Sequence, residues 1–119
     1  MPPLHIELKR VYEPPASADG VRILVERLWP RGLTKEAAAI DHWTKEVAPT
    51  PALRKWYGHR PALWPKFRQR YRAELAANAA EVGALKRLCA DGPVTFVYAA
   101  KDVERNSATV LRAFLLDEA

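Results

Sequence analysis

The sequence predicts a single α/β domain in which a small mixed or mostly parallel sheet of three to four strands is flanked by helices. Its 119 residues suit one domain. Segments with strand-like and helix-like apolar spacing follow one another, and no repeat, low-complexity tract or interdomain linker separates them. Strands separated by helices of this length indicate at least some parallel pairing.

Composition narrows the class of protein. Hydrophobic residues make up 49% and charged residues 28% of the chain, which is an ordinary globular balance. The single cysteine excludes an internal disulfide. The N-terminal residues lack a signal-peptide pattern and no apolar stretch has the length of a membrane span, so we expect a cytoplasmic protein without membrane association. The net charge of +5 favours anionic partners.

Two strands are predicted in the first third of the chain. Apolar and polar residues alternate over positions 4–9, as in a half-buried strand. Residues 13–20 are rich in breakers and predict a loop, after which the β-branched residues of 21–28 predict a second strand. The Trp-Pro-Arg-Gly sequence at 29–32 ends this strand, because its proline cannot donate to a ladder and its glycine permits a turn.

Short elements are predicted next. Thr34 can cap a short helix that runs through Ala39, and residues 40–43 are consistent with a brief strand. Thr50 followed by proline predicts a helix start, and that helix is expected to end near Gly58.

A longer helix is predicted from about Pro61. Its apolar face has helical spacing and consists of Trp64, Phe67, Tyr71 and Leu75. Asn78 and Glu81 have the spacing of a capping box, so either a second helix begins at Asn78 or one helix continues to Cys89. The Asp-Gly-Pro sequence at 91–93 ends it.

The last strand and helix follow. Residues 94–100 are apolar on both faces, which predicts a central strand covered on both sides. Asp102 is expected to cap a final helix, whose apolar residues are Val110, Leu111, Phe114 and Leu115.

The turn at 29–32 is the first candidate site. Open α/β sheets bind ligands beyond the carboxyl ends of their strands. Arg27, Arg31 and Trp29 could hold a planar or anionic group there, because a guanidinium donates a fork of hydrogen bonds to carboxylate or phosphate. Alternatively, Trp29 fills the core and the arginines pair with acidic neighbours, namely Glu26, Glu36 or Asp41.

The second candidate site is the loop that begins at Lys101. A strand that runs into a helix start presents free N–H groups and a positive dipole end, to which Lys101 adds charge. The alternative is an ordinary connection capped by Asp102. If the two preceding strands are parallel neighbours, Arg31 and Lys101 come together, and an anion pocket is favoured.

The third candidate is a run of basic residues between Arg54 and Arg72, with aromatic residues interleaved and no acidic residue. This pattern is typical of nucleic-acid binding. Helix geometry instead places Trp64, Phe67 and Tyr71 together as core, with the basic side chains flanking them, which favours a solvated face. No histidine or cysteine spacing predicts a metal site.

Three motifs together resemble one family. They are Arg-Leu-Trp-Pro-Arg-Gly at 27–32, Leu-Arg-Lys-Trp-Tyr-Gly-His at 53–59, and Val-Tyr-Ala-Ala-Lys-Asp at 97–102. They resemble the YeaO-like proteins, bacterial members of the DUF 488 superfamily of domains of unknown function, from about Ile6 to Leu116. The resemblance implies a small cytoplasmic α/β protein. The positions that recur in the family correspond to Arg27, Trp29, Pro30, Arg31, Gly32, Arg54, Trp56, Gly58, His59, Lys101 and Asn106.

Other branches of the superfamily carry a Cys-His-Arg signature at the start of the last helix. Here residues 105–108 are Arg-Asn-Ser-Ala, so the cysteine is absent, and Asn106 is followed by serine where close relatives are expected to have histidine. Thiol chemistry is therefore not expected in this chain.

The leading hypothesis is a ligand-binding or enzymatic domain with a pocket for a phosphate- or carboxylate-bearing molecule. Arg27 and Arg31 would clamp the anion, and His59 is the candidate proton carrier because an imidazole changes charge near neutral pH. The other expected ligand-binding residues are Trp29 and Trp56 as walls, Arg54 and Lys101 as added charge, and Asn106 as an orienting group. No cofactor or metal is expected. The alternatives are a nucleic-acid-binding module on the Arg54–Arg72 surface and an interaction protein without chemistry.

Overall fold

The sheet has four parallel strands in the order β1-β4-β2-β3. The structure is a computed structural model and describes residues 4–117. The strands are β1 (Ile6–Arg10), β2 (Val21–Leu24), β3 (His42–Trp43) and β4 (Val94–Tyr98). The predicted α/β class is confirmed, and every pair of neighbouring strands runs parallel.

Strand β4 lies at the centre of the molecule. It pairs with β1 on one side and with β2 on the other, so that Val94 lies opposite both Ile6 and Val21. All five of its residues are buried. This confirms the prediction of a central strand, which apolar side chains on both faces indicated.

Helices and short 3₁₀ turns connect the strands. The helices are α1 (Lys35–Ala38), α2 (Pro51–Tyr57), α3 (Trp64–Ala76), α4 (Ala79–Ala90) and α5 (Ser107–Leu115), and 3₁₀ turns lie at Ser17–Asp19, Lys45–Val47 and Pro61–Leu63. The predicted caps of the first two helices are confirmed: Thr34 Oγ1 accepts the N–H of Ala37, and Thr50 Oγ1 accepts that of Leu53.

The two faces of the sheet are closed differently. Ile23 and Phe96 point into a large core that also contains buried residues of α2, α3, α4 and α5. Leu24 and Val97, one residue further along each strand, point to the other face and pack with Ala38 and Val11 in a smaller core. Alternation along the strands therefore supplies both cores.

The end of β2, the cap of α4 and the cap of α5 differ from the prediction, whereas the start of a second helix at Asn78 is one of the predicted alternatives. Strand β2 ends at Leu24 rather than at residue 28, and its pairing with both β3 and β4 stops there, at Trp43 and Val97. Helix α4 begins after Asn78, but the Asn78 side chain makes no capping bond and donates to the Glu46 carbonyl at 2.9 Å instead. The cap of α5 is Asn106, not Asp102, which accepts the N–H groups of Glu104 and Arg105 in the preceding turn.

Candidate functional site

A cleft of about 460 Å³ lies beyond the carboxyl ends of β2 and β4. Glu26 lies two residues after the end of β2, and Ala99 directly follows β4. Because β2 and β4 are parallel neighbours, both residues lie at the same edge of the sheet. Helix α2 and the start of α5 form the other walls. The residues lining the cleft are Glu26, Pro49, Pro51, Arg54, Lys55, Tyr57, His59, Phe67, Ala99, Ala100, Arg105, Asn106 and Ser107.

Helix α2 brings two basic side chains to the cleft. Its start is fixed by Thr50, whose N–H and hydroxyl both donate to the Glu74 carboxylate, at 3.0 and 2.6 Å. Arg54 and Lys55 are exposed at the cleft, and within residues 4–117 neither side chain forms an ion pair or a hydrogen bond. Both cations are therefore available to an anionic molecule.

The chain leaves α2 through two successive left-handed residues, Gly58 at φ 54° and His59 at φ 57°. Glycine adopts this conformation at little cost, whereas for histidine it is uncommon. The turn places His59 at the cleft, where its ring centroid lies 6.2 Å from that of Tyr57. Burial raises the pKa of Tyr57, and the Asp102 carboxylate adds to this effect.

Asn106 is buried and holds the start of α5 in shape. Its Oδ1 accepts the N–H and the hydroxyl of Thr109 at 3.0 and 2.9 Å, and its Nδ2 donates to the Asp102 carbonyl at 3.0 Å. These bonds occupy the side chain within its own loop. Asn106 thus lines the cleft as a structural cap, and its contribution to a ligand would be the positive end of α5.

The turn before α5 is organised by Asp102. Its carboxylate accepts the backbone N–H groups of Glu104 and Arg105, and it pairs with the Arg105 guanidinium at 2.9 Å. The hydrogen bonds from Arg105 lower the pKa of Asp102 to about 2. Arg105 also lines the cleft, but its charge is already matched by this partner.

The sequence interpretation missed Glu26, which lines the cleft, and Arg10, which supports a loop of the cleft wall. Glu26 is half-buried in the cleft, and its Oε2 accepts the Ala99 N–H at 2.8 Å. Arg10 donates to the carbonyls of Ala99 and Ala100 at 3.2 and 2.8 Å, so it holds the loop after β4 from the other side. The available signal was a charged residue at the end of each strand.

Burial raises the pKa of Glu26, although three neighbours oppose the shift: the hydrogen bond from Ala99, Arg54 and His59. A carboxyl group with a raised pKa, close to basic side chains in a cleft, is typical of functional sites.

Arg27 and Trp29 have structural partners outside the cleft. Arg27 donates to the carbonyls of Ala48 and Pro49 at 2.9 and 3.2 Å, and in this way supports the wall that Pro49 forms. Trp29 Nε1 donates to the Leu33 carbonyl at 2.8 Å, and its ring packs edge-to-face on Trp43 beside the smaller core. The acidic partners considered for Arg27 are not the ones it has.

Three other predicted residues do not line the cleft either. Arg31 and Lys101 are exposed, although β2 and β4 are parallel neighbours as the shared pocket required. The turn at 29–32 packs toward the smaller core, on the sheet face opposite the helices that form the cleft. Trp56 packs against the larger core, with the Arg70 guanidinium 4.2 Å from its ring centre.

The basic run has the arrangement that helix geometry favoured. Phe67 and Tyr71 are buried in the larger core, and Trp64 packs against it. Lys66, Arg68 and Arg70 are exposed around them, as in a solvated face.

Other site chemistries find little support in residues 4–117. In that range no three His, Cys, Asp or Glu side chains are grouped to hold a metal ion. Cys89 is buried in α4, and burial raises the pKa of its thiol to about 11, so it is not an activated thiolate. No helix in the described range is long and apolar enough to cross a membrane.

Fold and cleft together define a class: a small parallel α/β domain with a basic cleft at the carboxyl edge of its sheet. The family model described as "Inactive DUF488-N3 subclade" matches residues 5–119. The chain belongs to this family, among the YeaO-like proteins of the DUF 488 superfamily.

Two relatives illustrate the match. The uncharacterized protein YeaO of Escherichia coli (strain K12) is 42% identical over 112 residues, which cover 94% of this chain and 97% of that protein. The uncharacterized protein Mb3100c of Mycobacterium bovis is 40% identical over 110 residues, 92% of each chain. No solved structure matches the chain.

Proposed function

We propose that the cleft between β2, β4, α2 and α5 binds a small molecule through a phosphate or carboxylate group. The observation that carries this proposal is the presence of Arg54 and Lys55, both without an ion-pair partner in residues 4–117, at a cleft of about 460 Å³. This volume is within the range of small-molecule sites, roughly 300–1,000 Å³.

The start of α5 supports the same proposal. A helix N-terminus carries a partial positive charge, and Ser107, the first residue of α5, lines the cleft. An anion in the cleft would therefore interact with two cationic side chains and a helix dipole. Among the ligand-binding residues expected from the sequence, Arg54 fits this arrangement directly and Asn106 caps the helix that supplies the dipole, whereas Arg31 and Lys101 lie outside it.

The proposed function is ligand binding, and it does not require a chemical reaction. The description "inactive" belongs to the family, and this chain has neither a cysteine at the start of its last helix nor an activated thiol elsewhere. If a reaction takes place in the cleft, His59 is the residue we propose as proton carrier, since it lines the cleft and its charge acts on Glu26.

Nucleic-acid binding on the Arg54–Arg72 surface is the weaker alternative. Phe67 and Tyr71 are buried and cannot stack on bases, while Trp56 and Trp64 are half-buried and pack against the larger core. Titration of the protein with DNA and RNA at low and high salt tests it, because phosphate-driven binding must weaken as salt rises.

A thermal-shift screen with inorganic phosphate, phosphorylated metabolites, nucleotides and small carboxylates tests the proposal. We expect a ligand that raises the melting temperature of the wild type and of Arg31→Ala but not of Arg54→Ala. Arg31→Ala is the matched control, because it removes the same charge from an exposed position outside the cleft. Equal loss of stabilisation in both variants, or no ligand for the wild type, would contradict the proposal.

A further inference from the structure

Glu26 lines the cleft, and only one oxygen of its carboxylate has a hydrogen-bond donor within residues 4–117. Its Oε2 accepts the Ala99 N–H, and within residues 4–117 no donor reaches Oε1. No buried side-chain oxygen or nitrogen in that range lacks a partner, so Oε1 is accessible rather than sealed in the protein. Glu26 lines the cleft, so its carboxylate is among the groups that a ligand there could meet.

The cleft therefore has charges of both signs. Arg54 and Lys55 come from α2, and Glu26 comes from the end of β2. Arg54 acts on Glu26 electrostatically but does not form an ion pair with it. Two opposite charges that face one cavity without neutralising each other in a direct pair are complementary to a molecule that itself carries both signs.

We propose that the ligand is a small zwitterion: its acidic group binds at Arg54 and Lys55, and its protonated amine donates to Glu26. This inference rests on the anionic group of the proposed function and adds the class of the second group. An ammonium fits because Oε1 is an acceptor, and a partly buried carboxylate binds a cation more strongly than a neutral donor. The cavity of about 460 Å³ is large enough to hold a small zwitterion.

A structural role for Glu26 must be separated from this binding role. The hydrogen bond from Ala99 extends the backbone pairing beyond β4, and a neutral amide oxygen could accept it equally well. Glu26→Gln therefore keeps the bond to Ala99 and removes only the negative charge. If Glu26 had a purely structural role, this substitution would not change which ligands the protein prefers.

The test is calorimetric titration at low salt with two matched pairs: 2-aminoethylphosphonate against ethylphosphonate, and β-alanine against propionate. We expect the wild type to bind at least one amine about tenfold or more tightly than its partner without the amine, as for a charge-assisted hydrogen bond. In Glu26→Gln the two members of that pair should bind with nearly equal affinity, and Arg54→Ala should weaken both.

The outcomes separate the two proposals. If the wild type binds both members of each pair equally, the zwitterion is wrong and the anion site stands. If it binds none of the four, both proposals fail for ligands of this class. An amine preference that persists in Glu26→Gln would overturn the role of Glu26. If that variant does not fold, the comparison of ligands on the wild type still decides whether the second group is an amine.

Discussion

Asn106 is a single side chain that caps α5 and thereby shapes one wall of the cleft. Its three hydrogen bonds, two from Thr109 and one to the Asp102 carbonyl, all lie within its own loop and helix. A shorter side chain would leave the first turn of α5 without its cap and bury unsatisfied backbone groups.

Asn106→Ala should lower the free energy of unfolding by about 1–2 kcal/mol, the usual cost of a lost cap. Asn78→Ala is the control, because Asn78 also precedes a helix but makes no capping bond. Its loss should be about 0.5 kcal/mol, for one exposed hydrogen bond to Glu46. Denaturant unfolding measures both, and equal losses would contradict the capping role.

Glu26 illustrates a residue whose charge opposes folding. Its pKa in the folded protein is raised, mainly by burial, so the unfolded chain loses its proton first as pH rises. Stability therefore falls as pH rises from the ordinary value of 4.5 through the folded pKa, and the loss is complete above it.

Glu26→Gln should accordingly be more stable than the wild type at neutral pH, with a difference that disappears below pH 4.5. Urea midpoints measured between pH 4 and pH 8 test this expectation. Glu36→Gln, on the exposed side of α1, should show no comparable trend. A Glu26→Gln variant that is less stable at every pH would mean that the carboxylate is required by the fold itself.

At the scale of elements, the starts of α1 and α2 were predictable because their capping signals are local, whereas Asp102 was wrongly expected to cap α5. Thr34 and Thr50 cap their helices through bonds to residues three positions away. The end of β2 depends instead on where its partners stop pairing, and Leu24 lies opposite Trp43 of β3 and Val97 of β4, which are 19 and 73 residues further along the chain. Local propensity contains no such information.

The residues of the candidate site were also predictable where local sequence places them, and not where tertiary contacts do. Arg54 and His59 are in the cleft because α2 and its glycine end are locally encoded. The sequence indicated some parallel pairing, but not that β2 and β4 are neighbours, and not the direction of the chain beyond Val25. Trp29 and Arg31 lie outside the cleft because that turn packs on the smaller core, a choice made by tertiary contacts.

Gly20 and Gly83 are a matched pair for testing how tightly the elements are joined. A Cβ on Gly20 would lie 2.3 Å from the Pro93 carbonyl oxygen, and its φ of 65° is unfavourable for other residues. A Cβ on Gly83, inside α4, would come no closer than 3.7 Å to the flexible end of Arg87.

Gly20→Ala should therefore lower the free energy of unfolding by about 3 kcal/mol, through overpacking and backbone strain together. Gly83→Ala should raise it by roughly 0.5–1 kcal/mol through helix propensity. Equilibrium unfolding in urea with unchanged m-values checks both. A neutral Gly20→Ala would show that the Pro93 loop moves aside without cost.

At the scale of the whole molecule, the two faces of the sheet are covered by different kinds of structure. Four helices cover the larger core, whereas α1 has only four residues and cannot cover the other face. A polar network completes that second face. Asp19 accepts from Lys9 at 3.2 Å and from Arg22 at 2.6 Å, and its carbonyl accepts the Thr95 hydroxyl at 2.7 Å.

This network joins three strands and α1. Lys9 belongs to β1, Arg22 to β2 and Thr95 to β4, while the Arg22 guanidinium also donates to the Ala38 and Ala39 carbonyls around the end of α1. The charged positions within the strands predict solvent exposure by alternation alone. Arg22 is nevertheless buried and Lys9 half-buried, because Asp19 and the end of α1 pack over this face through tertiary contacts.

Asp19→Asn should destabilise the protein by about 3 kcal/mol at neutral pH, because it leaves the buried Arg22 without its counter-charge. Desolvation opposes ionisation, but hydrogen bonds from Ala16, Arg22 and Lys9 bring the pKa of Asp19 below its ordinary value. The contribution of the carboxylate is therefore fully present above pH 3.8 and is lost as pH falls through the lower, folded pKa.

The difference between wild type and Asp19→Asn should accordingly be constant from pH 5 to pH 8 and shrink below about pH 4. Asp117→Asn, at an exposed position, is the control and should change little. Because the network lies on the face opposite the cleft, Asp19→Asn should leave ligand affinity unchanged wherever the variant is folded. If the folded Asp19→Asn variant also lost ligand affinity, the two faces of the sheet would be coupled. The shape of the cleft would then depend on the Asp19 network on one face of the sheet as well as on the helices on the other face.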